Sequence, residues 1–362
     1  MTSRPKSLIS LSAALHGFVV LGAILFGLST TYLMFDIIQQ VRSSAREEAV
    51  NVRGRYAARD LARSLEQDWQ DLKDIAAKIE GSDASAIVVA LDVMVGSDQR
   101  ISWAGFATAD GIVQAASNDV LKGVDVSARP WFQRGLRGDF AGDVHEAVLL
   151  NKLLGGTEQN PLRFLDLAAQ VAAPDGHIAG VLGFHINFAW AEAFLADAAQ
   201  KLELDLYLVN QNGEVIIATD GSEPGARDLQ IFRAAASGVA QSGSEVWPDG
   251  MTYFNVVIPE VTFGDLPSFS WRLVARIDNG SFGTGSTTLI RSVVVTLAVA
   301  GLLLLIATVA FNRIFIQPFA LLADNAKRIA DGADDYPLEM RRTDELARLS
   351  AALAQLQGRK KD

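Results

Sequence analysis

The chain has no cysteine, and only four histidines among its 362 residues. Disulfides and thiolate chemistry are therefore excluded, although the compartment stays undecided. Proline is absent from Asp36 to Glu80, and glycine appears there once, at Gly54. Charge is absent from two long runs, Ser7–Phe35 and Ser292–Asn312. Overall, acids outnumber bases, and a net charge of −10 argues against a nucleic-acid partner. No Ser-His-Asp set, phosphate loop or metal-ligand cluster stands out. His145 and Glu146 are adjacent, and neighbours in a helix or strand point apart. No catalytic residue, cofactor or resident metal is expected, and the chain does not read as an enzyme.

Hydrophobic residues make up 49% of the chain, enough to prompt a search for membrane spans. The run Ala13–Phe35 meets the ~20-residue length of a membrane helix. A cleaved signal peptide is the alternative, but its apolar region is only about 7–15 residues long. Arg4 and Lys6 precede the run and place the N-terminus in the cytoplasm. A second span is expected within 289–312. Residues 36–288 then lie outside, residues 1–12 inside, and 313–362 inside.

From Asp36 onward, Leu61, Leu65, Trp69, Leu72, Ala76 and Ile79 recur at three- and four-residue steps. That spacing predicts one long amphipathic helix continuing the first span. A helix at Ala84–Val95 and strands at Ile101–Ala107 and Ile112–Ala116 follow. Ala128–Phe188 is the most informative stretch. Arg129-Pro130-Trp131-Phe132 starts a short helix with Pro in its first turn, where the missing N–H costs nothing. Leu162–Val171 alternates, with Leu162, Phe164, Asp166 and Ala168 on one face. Arg163, Leu165, Leu167, Ala169 and Val171 occupy the other. Asp175-Gly176 turns the chain into a return strand, Ile178–Phe188. Asp166 sits among apolar neighbours and needs a partner, either Arg129 or a ligand ammonium. Arg129 offers a fork for carboxylate, and Trp131 and Phe132 an apolar wall. A linking helix, Ala189–Leu202, leads to strands at Leu204–Val209, Val215–Ala218, Thr252–Ile258 and Phe269–Ile277. These form a second, smaller module in which no strong polar constellation is evident, so a transmitting role is expected.

The R-x-W-[FY] start and the D-G-x-x-x-G-V-L-G end of this stretch resemble the double Cache (dCache) sensors of bacterial chemoreceptors, histidine kinases and diguanylate cyclases. The resemblance covers about Asp36–Ser286. It implies an α+β fold: a long N-terminal helix and two PAS-like antiparallel-sheet modules, the distal about 81–188 and the proximal about 200–286. It also implies a periplasmic domain on a bacterial inner membrane and a small-molecule ligand. In amino-acid-binding members the Arg and Trp of the motif contact the ligand carboxylate, which maps onto Arg129 and Trp131. Those members also carry a Tyr in the following loop. It is missing from Asp143–Asn151 here, and Asp143, His145 and Asp166 are the polar candidates instead.

In the tail, Leu322, Ala326 and Ile329 form a stripe after Pro318, and Gly332 ends it. A connector with Pro337-Leu338 leads to Asp344-Glu345 and then Leu346, Leu349, Leu353 and Leu356, at coiled-coil spacing. Neither helix buries its stripe alone. Pro318 and the Asp344-Glu345 step resemble a HAMP linker over about Arg313–Gln357, which implies a four-helix bundle made by two chains. The expected function is a homodimeric receptor relaying solute binding to a cytoplasmic output protein or domain. The alternatives are the sensory half of a cyclase, kinase or chemoreceptor, and a scaffold that binds a periplasmic protein.

Overall fold

In the computed structural model every residue is described except 1–9, 80–81, 98–99, 158, 160, 223–228, 279–285, 334, 337 and 362. Pro337 thus lies outside the described residues. Two compact units emerge: Ser43–Phe282, and Met1–Arg42 together with Gly283–Asp362. Helix α1 runs Leu11–Lys78, 68 residues without a break.

Within Ser43–Phe282, α2 (Ala84–Ser97) precedes strands β1 (Ile101–Thr108) and β2 (Val113–Ala116), helix α3 (Pro130–Gly135) and strand β3 (Phe140–Glu146). Helix α4 (Val148–Leu153), strands β4 (Arg163–Ala172) and β5 (Ile178–Asn187) and helix α5 (Phe188–Leu202) complete the first module. The second contains β6 (Asp205–Val209), β7 (Val215–Ala218), α6 (Gln230–Ala236), β8 (Ser242–Val246), β9 (Thr252–Ile258) and β10 (Arg272–Asp278). The two sheets are antiparallel and share one plan, β2-β1-β5-β4-β3 and β7-β6-β10-β9-β8. The α+β fold and the paired modules expected from the sequence are those observed.

One core joins α1 to the inner faces of both sheets. Leu61, Leu65, Trp69 and Leu72 of α1 are buried with Leu165, Leu167 and Phe184 of the first sheet and Val256, Leu273 and Ala275 of the second. Gly54 explains itself here. A Cβ at that position would come within 2.7 Å of Ile258 Cδ1 and 2.9 Å of Ala275 Cβ. The helix therefore touches the second sheet at the one glycine between Asp36 and Lys78. Toward the first sheet, Arg100 clamps α1 from the start of β1. Its guanidinium lies 3.0 Å from Asp68 Oδ1 and donates to Ser64 Oγ at 2.9 Å.

Among the remaining residues, two helical stretches are long and apolar enough to cross a membrane, Leu11–Phe35 and Arg291–Ala330. Helix α7 (Ser286–Phe311) passes through a short π-helical segment, Asn312–Ile316, into α8 (Gln317–Ala330). Gly332 follows at φ +97°, a backbone position that glycine adopts without strain. Helix α9 (Asp344–Lys361) lies beyond a connector pinned to both helices. The Leu338 N–H donates to Asn325 Oδ1 at 3.1 Å, and the Met340 N–H to Ser350 Oγ at 3.2 Å.

Candidate functional site

Strand register builds the site. Trp103 of β1 pairs with His185 of β5, His185 with Asp166 of β4, and Asp166 with Gly142 of β3. These four residues form a row across the first sheet, on the face away from α1. Phe164 and Ala168 flank Asp166 on that face, whereas Leu165 and Leu167 point into the α1 core. Gly142 leaves room for the Asp166 side chain. A Cβ there would sit 3.0 Å from Asp166 Cβ and 3.2 Å from its Oδ2. A one-residue bulge after Gly142 then turns His145 toward the same face, opposite Phe164.

Three side chains meet at this point. His185 Nδ1 lies 2.5 Å from Asp166 Oδ1, and both residues are buried. His145 Nε2 lies 3.6 Å from that same oxygen, with its side chain partly open. The partner of Asp166 within the chain is therefore His185, where the sequence suggested Arg129 or a ligand ammonium. The Trp103 ring stacks on His185 at 5.0 Å, and the Trp131 ring meets Trp103 edge-on at 5.8 Å. Trp131 is admitted by Gly183, where a Cβ would lie 2.8 Å from the indole. Pro130 at the start of α3 and Arg129 before it place Arg129 and Arg134 at the rim.

These groups enclose a cavity of about 380 Å³, whose lining includes Arg129, Trp131, Arg134, Asp143, His145, Asp166 and His185. A few convergent polar groups on aromatic walls is the usual character of a small-ligand site. Of the residues expected from the sequence, Arg129, Trp131, Asp143, His145 and Asp166 line it. Phe132 does not: it is buried behind Trp131, their rings edge-on at 5.9 Å. Asp143 is engaged elsewhere, because Trp271 Nε1–H of the second module donates to its Oδ1 at 2.8 Å. Gln211 and Asn212 of the β6–β7 turn also reach the cavity edge. His185, Trp103 and Arg134 were missed. So was the convergence of two histidines and a carboxylate, whose ligating atoms all lie within 4.8 Å of one another.

The second module holds the polar constellation that the sequence reading did not find. Its matching row is Asp205–Arg276–Asn255–Gly243, by the same register. Arg276 is buried, and its guanidinium lies over the rings of Tyr253 (3.9 Å), Trp247 (4.1 Å) and Tyr207 (5.3 Å). It donates to Asp205 Oδ2 at 2.6 and 2.9 Å and to Asp220 Oδ2 at 2.8 Å. Burial opposes the Asp220 charge, but hydrogen bonds from Ser222 and Tyr207 and the Arg276 charge hold its carboxyl below the usual range. Burial also pushes the Tyr207 phenol well above its ordinary value, with its hydrogen bond to Asp220 adding to the effect. Where the first module sets its histidine and aspartate on a cavity floor, the second sets an arginine among three aromatic rings and two carboxylates.

Residues 310–359 match the HAMP domain family. No curated protein matches the chain. Among solved structures, the ligand-binding domain of the Pseudomonas aeruginosa PAO1 amino acid chemoreceptor PctB, in complex with L-Arg, is similar at 14% identity and a TM-score of 0.50. It covers 68% of this chain and 93% of that one. The ligand-binding domain of the Pseudomonas fluorescens chemoreceptor CtaA, in complex with L-leucine, matches at 16% identity and a TM-score of 0.49, over 67% of this chain and all of that one. An extracellular ligand binding receptor from Desulfohalobium retbaense DSM5692 matches at 14% identity and a TM-score of 0.47. It covers 62% of this chain, which spans only 40% of that receptor. At such identities the PctB likeness speaks for the fold. In sequence order, the two candidate membrane helices flank the two-sheet domain, and the HAMP match begins within the second.

Proposed function

We propose that the distal cavity binds a small extracytoplasmic solute and that two copies of the chain relay its occupancy across a bacterial inner membrane. The cavity itself carries this reading. Arg129 and Arg134 stand at its rim, Asp166, His145 and His185 at its floor, and Trp103 and Trp131 form its walls. Arginine forks suit a carboxylate on the solute, and the floor suits its cationic, hydroxyl or metal-bound end. The PctB domain named above was solved with L-Arg, which makes amino acids and their carboxylate analogues the first compounds to try.

Relay follows from what the cavity touches. Asp143 ties its wall to Trp271, and α1 shares one core with both sheets before running on into the first candidate span. A ligand shifts such a system only by its difference in affinity for two packings. The HAMP domain then reads the shift and passes it to an output domain or protein in the cytoplasm. Its exposed Leu349 and Leu356 supply the surface for a second copy.

The test is thermal unfolding of the full chain in lipid nanodiscs against amino acids, dicarboxylates and amines. A saturable rise in Tm identifies the solute. Arg129→Ala should then slow association, lower the affinity and weaken the salt dependence of binding, as expected for an exposed rim charge. Unchanged affinity in Arg129→Ala and in Trp131→Leu would remove these residues from the site.

A further inference from the structure

We propose that His145, Asp166 and His185 bind a divalent d-block metal ion, of the zinc or nickel kind, at the floor of the distal cavity. The proposal rests on the reading of that cavity as the binding site and names a ligand class for it.

Three observations support it. The first is donor type. Two imidazoles and one carboxylate suit zinc, nickel, copper or iron, whereas magnesium and calcium favour all-oxygen sites. The second is spacing. Bonds of about 2.0–2.1 Å in tetrahedral geometry put ligand atoms about 3.3 Å apart. His145 Nε2 and Asp166 Oδ1 are 3.6 Å apart, beyond a good hydrogen bond but close to that separation. His185 Nδ1, at 2.5 Å from the same oxygen, must move outward as the ion enters, with its proton resting on Nε2 instead.

The third observation is what stands behind His145. Its Nδ1 lies 3.3 Å from the backbone carbonyl oxygen of Asp143. A carbonyl only accepts, so the proton belongs on Nδ1 and Nε2 presents a lone pair to the Asp166 carboxylate. In that tautomer a metal ion between Nε2 and the carboxylate is bound by both. Metal-ligating histidines are commonly oriented in this way, through the other ring nitrogen. Asp143 is in turn anchored by Trp271, so the carbonyl that orients His145 belongs to a residue locked to the second module. The side chain of His145 is partly open to the cavity, which leaves a coordination position for water or for a donor atom of the organic solute. Three protein ligands and an open position are the mark of a site that exchanges its contents rather than of a closed structural one.

The experiment uses the tag-free full chain in nanodiscs, titrated with Zn²⁺, Ni²⁺ or Mg²⁺ alone by calorimetry, and with Co²⁺ by visible absorption. One Zn²⁺ or Ni²⁺ per chain should bind, Mg²⁺ should not, and Co²⁺ should develop a ligand-field band. His145→Ala should lower Ni²⁺ affinity at least tenfold and weaken the Co²⁺ band. Because His145 is partly exposed, this variant keeps the buried Asp166–His185 pair and serves if Asp166→Asn fails to fold. Metal binding that is unchanged in His145→Ala overturns the proposal, and so does no binding to the wild type. In the latter case a saturable Tm rise with an organic solute leaves the cavity reading standing, whereas no response to solute or metal removes both.

Discussion

At the scale of single residues, the contrast between His185 and Arg276 separates the two modules. They occupy matching places in matching rows, yet His185 lines the distal cavity beside Asp166 while Arg276 lies among the aromatic rings and carboxylates of its own module. Arg276→Ala leaves Asp205 and Asp220 without their cation inside an aromatic cage, and breaking a buried pair in this way costs about 3–5 kcal/mol. The expected outcome is a clear drop in Tm, partly restored by millimolar methylguanidinium and not by sodium chloride at equal ionic strength. A drop that both salts restore equally would mean that the cage does not recognise the guanidinium. Asp220 also sets a pH dependence. Its folded-state pKa lies below the ordinary carboxylate value of about 3.9. The unfolded chain therefore takes up the proton first as pH falls. The stability this carboxylate contributes is complete at neutral pH, begins to fall near the ordinary value and is gone below the folded-state pKa. Acid unfolding of Asp220→Asn should accordingly show a shallower loss of Tm below about pH 4 than the wild type. Equal slopes would place the acid sensitivity in other carboxylates.

At the scale of elements, Gly54 is the point where α1 meets the second sheet. Alanine is the better helix former by up to about 1 kcal/mol. Here, however, a Cβ meets Ala275 Cβ at 2.9 Å, and that atom moves only with the backbone of β10. Gly54→Val should destabilise by about 1–3 kcal/mol through overpacking, measured as a lower midpoint of thermal unfolding. A raised midpoint would show that the helix–sheet spacing gives way easily. What the sequence made legible follows the same geometry. Strand β4 announces itself by alternation, and β5 by the Asp175-Gly176 turn that precedes it. Strands β3 and β8 do not, because both lie at sheet edges and their sequences, FAGDVHE and SGSEV, are polar or glycine-bearing. Asp166 was legible as a carboxylate among apolar neighbours, but its partner was sought on the wrong element. The information was nonetheless present. Nine residues back from Asp175 is Asp166 and nine forward from Gly176 is His185, a pairing the structure keeps although its hairpin loop is wider and the register shifts between Val171 and Ala172. His145 was harder to place, since only the bulge after Gly142 turns it inward, and bulges leave little trace in a single sequence. The Arg276 cage joins residues from four separated segments, 205–207, 220, 247–253 and 276, which no local pattern connects.

At the scale of the whole molecule, two candidate spans surround the sensor domain, so a reporter inserted near Gly221 should be periplasmic and one fused after Asp362 cytoplasmic. The same side for both would overturn the two-span topology. The tail then decides how many chains take part. On α9 the four leucines at coiled-coil spacing do not share one environment. Leu346 is fully buried against its own chain, while Leu349 is 45% and Leu356 63% exposed. Apolar side chains at seam positions gain by burial, roughly 1.5–3 kcal/mol for a leucine moved from exposure to full burial. A second α8–α9 pair offers that burial, and no contact within one chain does so among the described residues. The full chain in nanodiscs should therefore be at least a dimer, by cross-linking or mass photometry. Leu349→Asp places a charge on the seam and should shift the chain toward monomer and weaken signalling. It should leave solute binding in the distal cavity unchanged, because the cavity and α9 share no residue. A wild-type monomer that signals normally would sink the dimer. So would a Leu349→Asp variant that dimerises and signals like the wild type, which would put the contact between chains on another surface.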